Sequence, residues 1–114
     1  MPARRNPLKL NPLQLKTLTL LQELARHPET SSRDEETGEV LLAALPRPHG
    51  DHFHVGPKVV MAKDATGLSN AAVWTALERK GLARGSFPYA IRLTAEGLAY
   101  ETGMRDTILH GSDH

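Results

Sequence analysis

Met61-Ala62-Lys63-Asp64-Ala65-Thr66-Gly67-Leu68-Ser69-Asn70-Ala71-Ala72-Val73-Trp74-Thr75-Ala76-Leu77 decides how the chain is read. The small Ala62 allows two helices to approach closely. Gly67 is the residue type suited to a φ > 0 turn, and Leu68 plugs the joint between the helices. Val73 and Leu77, four residues apart, share one helical face and seat the second helix on the first. Ser69 stands where an N-cap is needed, so the spacing predicts a helix over 70–80, closed by Gly81 with Leu82 folding back on Leu77.

Working outward, Gly56-Pro57 opens the preceding helix, predicted to run to about Thr66. Downstream, residues 82–84 and 89–93 read as two short strands around Gly85-Ser86-Phe87-Pro88, with Tyr89, Ile91 and Leu93 on one face. Thr94 caps a last predicted helix over 95–102, ended by Gly103. Upstream, Asn11-Pro12 is an N-cap followed by proline at the first helical turn. Leu13, Leu18, Leu20, Leu21, Leu24 and Ala25 then recur at helical spacing until Pro28 stops the run. The acidic stretch 28–38 is nearly free of apolar residues and reads as a mobile loop. Residues 40–45 and 52–55 read as strands that pair with each other. The predicted organisation is α+β, with a basic arm over 1–10, a domain over 11–103 and a tail over 104–114.

Composition limits the function classes. With 114 residues the chain suits one domain, and with no cysteine it has no disulfide, Cys-ligated metal or thiol nucleophile. Lys and Arg number 14 against 13 Asp and Glu, which argues against a uniformly basic nucleic-acid binder. The distribution says more than the sum. Arg4, Arg5, Lys9 and Lys16 make the first 16 residues basic, and residues 29–39 hold five acids against Arg33. Residues 58–92 are basic again through Lys58, Lys63, Arg79, Lys80, Arg84 and Arg92. A near-neutral total therefore hides two basic segments, and it is local charge that makes a binding field. No stretch has the apolar length of a membrane span or the pattern of a secretory leader, so a cytoplasmic protein is expected. No phosphate-binding glycine loop or activated serine motif is present, and no enzymatic activity is expected.

Over residues 53–102, with helix 11–27 as the first helix, the chain resembles the winged helix–turn–helix superfamily of bacterial transcriptional regulators, in the style of MarR-like proteins. Two departures stand out: Gly81-Leu82 comes early, shortening the recognition helix, and strand 40–45 is an unusual addition. The resemblance implies a homodimer that binds double-stranded DNA. Ser69, Asn70, Ala71 and Thr75 would meet base edges, while Lys63, Arg79, Arg84 and Arg92 hold phosphates. Ser69 and Asn70 have an alternative role as ordinary helix caps. Phe87 and Tyr89 serve either as wing contacts or as a lid on the core edge. Leu15, Leu20, Met104, Ile108 and Leu109 are the apolar candidates for dimerisation.

Two other classes remain open. Turning Val73, Ala76 and Leu77 inward leaves Ala71, Ala72 and Trp74 as an outer or flanking surface, suited to a protein partner and no DNA. His49, His52 and His54 form a small cluster in which His52 and His54 share a strand face roughly 6.5 Å apart. Such a pair chelates a divalent ion such as zinc when a third ligand joins it, and is otherwise an exposed strand face.

Overall fold

The first helix forms because its ends are fixed by local chemistry. In the computed structural model, which describes residues 6–43, 45 and 50–111, α1 spans Pro12–Leu24. Asn11 Oδ1 accepts from the Gln14 N–H (2.8 Å) and Gln14 Oε1 accepts from the Asn11 N–H (3.0 Å), a reciprocal capping box. Leu18, Leu20, Leu21 and Leu24 are buried, and so are Thr17 and Thr19. The two hydroxyls donate to the carbonyls of Leu13 and Leu15 one turn back, which lets polar residues sit inside. α1 is thus the central helix of the core, packed against later helical segments on more than one side.

Four α-helices and two antiparallel sheets make up the described residues, an α+β fold. The first sheet has the order β1-β2-β6-β5, from β1 (Ser32–Arg33), β2 (Val40–Leu42), β6 (Ala90–Leu93) and β5 (Ala83–Ser86). Val40 lies opposite Leu93 and Leu42 opposite Ile91. The expected pairing of 40–45 with 52–55 is therefore replaced. Val40 and Leu42 bury one alternating face, and Ile91 and Leu93 offer the matching buried face beside them. The acidic segment 28–38 is also more ordered than its composition predicts. Asp34 Oδ1 accepts from the Glu36 N–H (2.9 Å), and the Asp34 N–H donates to the Glu39 carbonyl (2.8 Å). That aspartate turn closes a hairpin between β1 and β2.

The second sheet is β3-β4-β7, from β3 (His52–Val55), β4 (Lys58–Met61) and β7 (His110–Gly111). The helix predicted from Gly56-Pro57 to Thr66 is not formed. Gly56 has φ 58° and begins a two-residue hairpin loop, so Val59 and Val60 pair with His54 and Phe53 instead. Their β-branching favours the strand. Two 3₁₀ turns follow, Ala62–Asp64 and Thr66–Ser69. Gly67 lies inside the second with no positive φ, which overturns the role predicted for it. Its bareness serves packing, since a Cβ there would sit 1.9 Å from Thr17 Oγ1 on α1.

Helix α2 (Ala71–Arg79) follows, and Asn70 rather than Ser69 is its N-cap. The Leu82 N–H donates to the Leu77 carbonyl (3.0 Å) beyond Gly81, the predicted helix end. α3 (Ala95–Ala99) starts where expected, with Thr94 Oγ1 accepting from the Gly97 N–H, but it stops short of Thr102. Tyr100 turns extended, and its hydroxyl meets Asn6 and the Leu8 N–H. α4 (Arg105–Ile108) returns the chain to the core. Leu20, Ile108 and Leu109 belong to one buried cluster that includes residues of both sheets, with Leu15 packed against it. The apolar residues set aside for a dimer face are thus largely used within the single chain. Among the described residues no helix is long and apolar enough to cross a membrane.

Candidate nucleic-acid interface

A nine-residue helix with 3.6 residues per turn must divide its side chains, and α2 does so cleanly. Val73, Trp74 and Leu77 are buried and Ala76 is half-buried, while Ala71, Ala72, Thr75, Glu78 and Arg79 are exposed. The expected outward or flanking position of Trp74 is overturned, since it is 1% exposed. Its indole Nε1–H donates to the Leu68 carbonyl (3.2 Å), satisfying the one polar atom that burial would penalise. The Phe87 ring packs edge-on against the indole, with centroids 4.8 Å apart at 86°. The apolar face proposed for a protein partner thereby loses its tryptophan.

That contact joins α2 to the turn between β5 and β6. A second tie comes from Glu78 Oε2, which accepts from the Gly85 N–H (2.9 Å). Of the two turn aromatics, Phe87 covers the core edge, whereas Tyr89 is 78% exposed. Tyr89 does not share the buried face of Ile91 and Leu93 as its alternation suggested. It lies in the turn before β6 begins.

The predicted base-reading residues fall at the start of α2. Asn70 Oδ1 accepts from the Ala72 N–H (2.9 Å) and the Val73 N–H (3.4 Å), so its capping role is the one formed. Ser69 Oγ donates to the Thr66 carbonyl (3.3 Å). Ala71 and Thr75 stand clear on the outer face. The four predicted phosphate contacts separate into two pairs. Lys63 and Arg79 are exposed and form no ion pair among the described residues. Arg84 and Arg92 both meet Glu39. Arg84 Nη2 lies 2.6 and 2.7 Å from the two Glu39 oxygens, and Arg92 Nε lies 3.7 Å from Oε1.

Glu39, which falls between the predicted loop over 28–38 and the predicted strand from Val40, was counted among the acids of 29–39 but given no role in the sequence reading. Its side chain is 13% exposed. Alternation offered a signal: Glu39 and Leu41 are two apart on an extended segment, and Leu41 lies opposite Arg92. A cavity of about 250 Å³ opens on this outer sheet face, lined by Leu41, Arg84, Gly85, Ser86, Ala90 and Arg92 among others.

A second carboxylate lies elsewhere in the fold. Glu23, buried on α1, receives hydrogen bonds from Arg105 of α4 and from His27, and Arg26 Nη1 lies 3.9 Å away. Burial pushes its carboxyl up. The bonds from Arg105 and His27, with the charges of Arg105 and Arg26, outweigh burial and hold it below the ordinary value of 4.5.

The histidine pair is close. The His52 and His54 rings are 5.2 Å apart at 80°, and His52 Nδ1 lies 3.2 Å from Asp51 Oδ1. His49 lies outside the described residues, as does the Arg4-Arg5 pair of the basic arm. Among the described residues no group of three or more His, Asp or Glu is placed to hold a metal ion. Set against known protein families, curated proteins and solved structures, the chain matches none of them.

Proposed function

We propose that the chain is a DNA-binding protein of winged-helix type, with α2 as recognition helix and the β5–β6 turn as wing. The observation that carries this reading is the lock between those two elements. Trp74–Phe87 and Glu78–Gly85 tie α2 to the turn that carries the exposed Tyr89, so a surface drawn from both elements would be held together by these contacts. Recognition needs such a surface, because a helix and a turn that moved independently would lose orientational entropy on binding. The connectivity lends partial support: α1, four short strands, two 3₁₀ turns, α2 and the β5–β6 hairpin follow in order, with β2 laid against the hairpin strand β6.

On this surface Lys63 and Arg79 meet phosphates, and Ala71 and Thr75 approach base edges or thymine methyl groups. The role is that of a transcriptional regulator in the cytoplasm of a bacterium, a binder rather than an enzyme. With the apolar dimer candidates largely used in the core, contact with DNA is argued for a single chain.

Generic fluorescent duplex DNA, titrated by anisotropy at two salt concentrations, tests the reading. Two to four engaged basic groups give a slope of about −2 to −4 in log K against log salt. Absence of binding at low salt, or binding that ignores salt, overturns it.

A further inference from the structure

Arg84 and Arg92 stand directly opposite one another on adjacent strands, on the same sheet face. Like charges so placed destabilise a sheet unless an anion lies between them. Glu39 supplies that anion from 45 residues away in sequence, offering both oxygens to Arg84 and one to Arg92. Its backbone is held by the Asp34 N–H on its carbonyl and by Thr37 Oγ1 on its N–H (3.2 Å), so the carboxylate is presented rather than loose.

We propose that Glu39 occupies a phosphate site in the DNA-free protein, and that a backbone phosphodiester of duplex DNA displaces it from Arg84 and Arg92. The proposal rests on the DNA-binding reading given above. Three observations lead to it. Guanidinium groups recognise carboxylate and phosphate oxygens with the same fork of donors, so one anion substitutes for the other without rebuilding the site. Arg84 is largely exposed and Arg92 partly so, which lets an incoming anion reach both arginines from solvent although the Glu39 carboxylate itself is shielded. The cavity of about 250 Å³ beside the pair is lined by both arginines together with Leu41, Gly85, Ala90, Ile91 and the hydroxyl-bearing Ser86. It gives an incoming phosphate room and one further donor.

A polymer phosphate suits the position better than a free one. Arg84 and Arg92 project from the sheet face opposite the one on which Ile91 and Gly85 meet Trp74 of α2. Arg84, Gly85 and Ser86 lead along the chain into the wing turn, so it is the wing and not α2 that connects the pair to the surface assigned to DNA. Glu39 then acts as a brake on affinity. It leaves Lys63 and Arg79 as the unpaired cations for a first encounter and makes Arg84 and Arg92 available only when a phosphate arrives in register.

Anisotropy titrations of generic duplex with the wild type, Glu39→Gln and the double variant Glu39→Gln/Arg84→Gln test the proposal. Glu39→Gln should bind roughly 3- to 10-fold tighter at low salt, with a slope steeper by about 1 to 2. The second substitution should return both to the wild-type level or below. In the unsubstituted protein, the Arg84 and Arg92 Nε–H resonances should move on adding duplex but not on adding inorganic phosphate at equal phosphate concentration. The proposal is overturned if the wild type binds duplex and Glu39→Gln binds no better, or if those resonances answer only to inorganic phosphate. If neither protein binds duplex at low salt, the DNA-binding reading itself fails, and this proposal fails with it.

Discussion

Two regions of the molecule pair a shielded carboxylate with arginines, and they differ in what surrounds the pair. Glu23 lies inside the fold between α1 and α4, with its side chain 5% exposed, and gathers Arg105, His27 and Arg26. Glu39 lies at the edge of a sheet face, beside a cavity, with Arg84 reaching into solvent. In the first region the ion pair joins two helices around a buried carboxylate, and its loss leaves the half-exposed Arg105 and the mostly buried His27 short of a partner. In the second, water or another anion can take the place of the carboxylate at small cost. The same residue types therefore form a lock in one place and an exchangeable contact in the other, and burial decides which.

The largest predicted effect tests the frame on which the second region is mounted. Trp74→Ala should destabilise the protein by about 3–5 kcal/mol, because it empties a fully buried indole site and frees Phe87. Chemical denaturation measures this. A loss near zero would mean that wing and helix are not joined through the indole.

Glu23→Gln comes next. The half-exposed Arg105 and exposed Arg26 keep access to water, so the expected loss is about 1–3 kcal/mol rather than that of a fully buried pair. The pH dependence gives the sign. A carboxyl held below 4.5 stabilises the fold fully above 4.5 and loses that contribution as pH falls through its lowered folded value. Melting temperatures of wild type and Glu23→Gln should converge as the solution is acidified. A gap that widened on acidification would break the comparison between the two carboxylates.

Glu39→Gln should cost less than about 1 kcal/mol in the same denaturation experiment, because the largely exposed Arg84 is rehydrated when the carboxylate charge is lost. A loss equal to that of Glu23→Gln would make both sites locks. The smallest effect on stability is expected from Tyr89→Ala, within about 0.5 kcal/mol, because the ring is 78% exposed. Its duplex affinity should nonetheless fall in an anisotropy titration, and unchanged affinity would remove the turn from the interface.

What the sequence made legible was governed by neighbours along the chain. The Asn11 cap with Pro12, the end at Gly81-Leu82, the Thr94 cap and the β5–β6 hairpin each depend on contacts within about five residues or on a short turn. The errors came from distant partners. Residues 58–61 could be taken for helix because their strand character is completed by β3 and β7, and β7 arrives some fifty residues later. Trp74 was placed on the flank because a helical wheel for α2 alone contains neither the Leu68 carbonyl nor Phe87. The outward positions of Ala71, Thr75, Glu78 and Arg79 on α2 were legible from the helical wheel. The place of Glu39 was not, since nothing in the residues between Gly38 and Val40 carries information about two arginines brought to it by β2–β6–β5 pairing.

The account's central claim is that α2 and the wing form one DNA-binding surface. An amide ¹H–¹⁵N shift map recorded while generic duplex is added at low salt tests it most directly. The predicted result is a contiguous set of shifted signals from residues 69–75, from Arg79 and from the 86–89 turn, fading together as salt is raised. Shifts confined to the β3-β4-β7 sheet, or none anywhere, would contradict it.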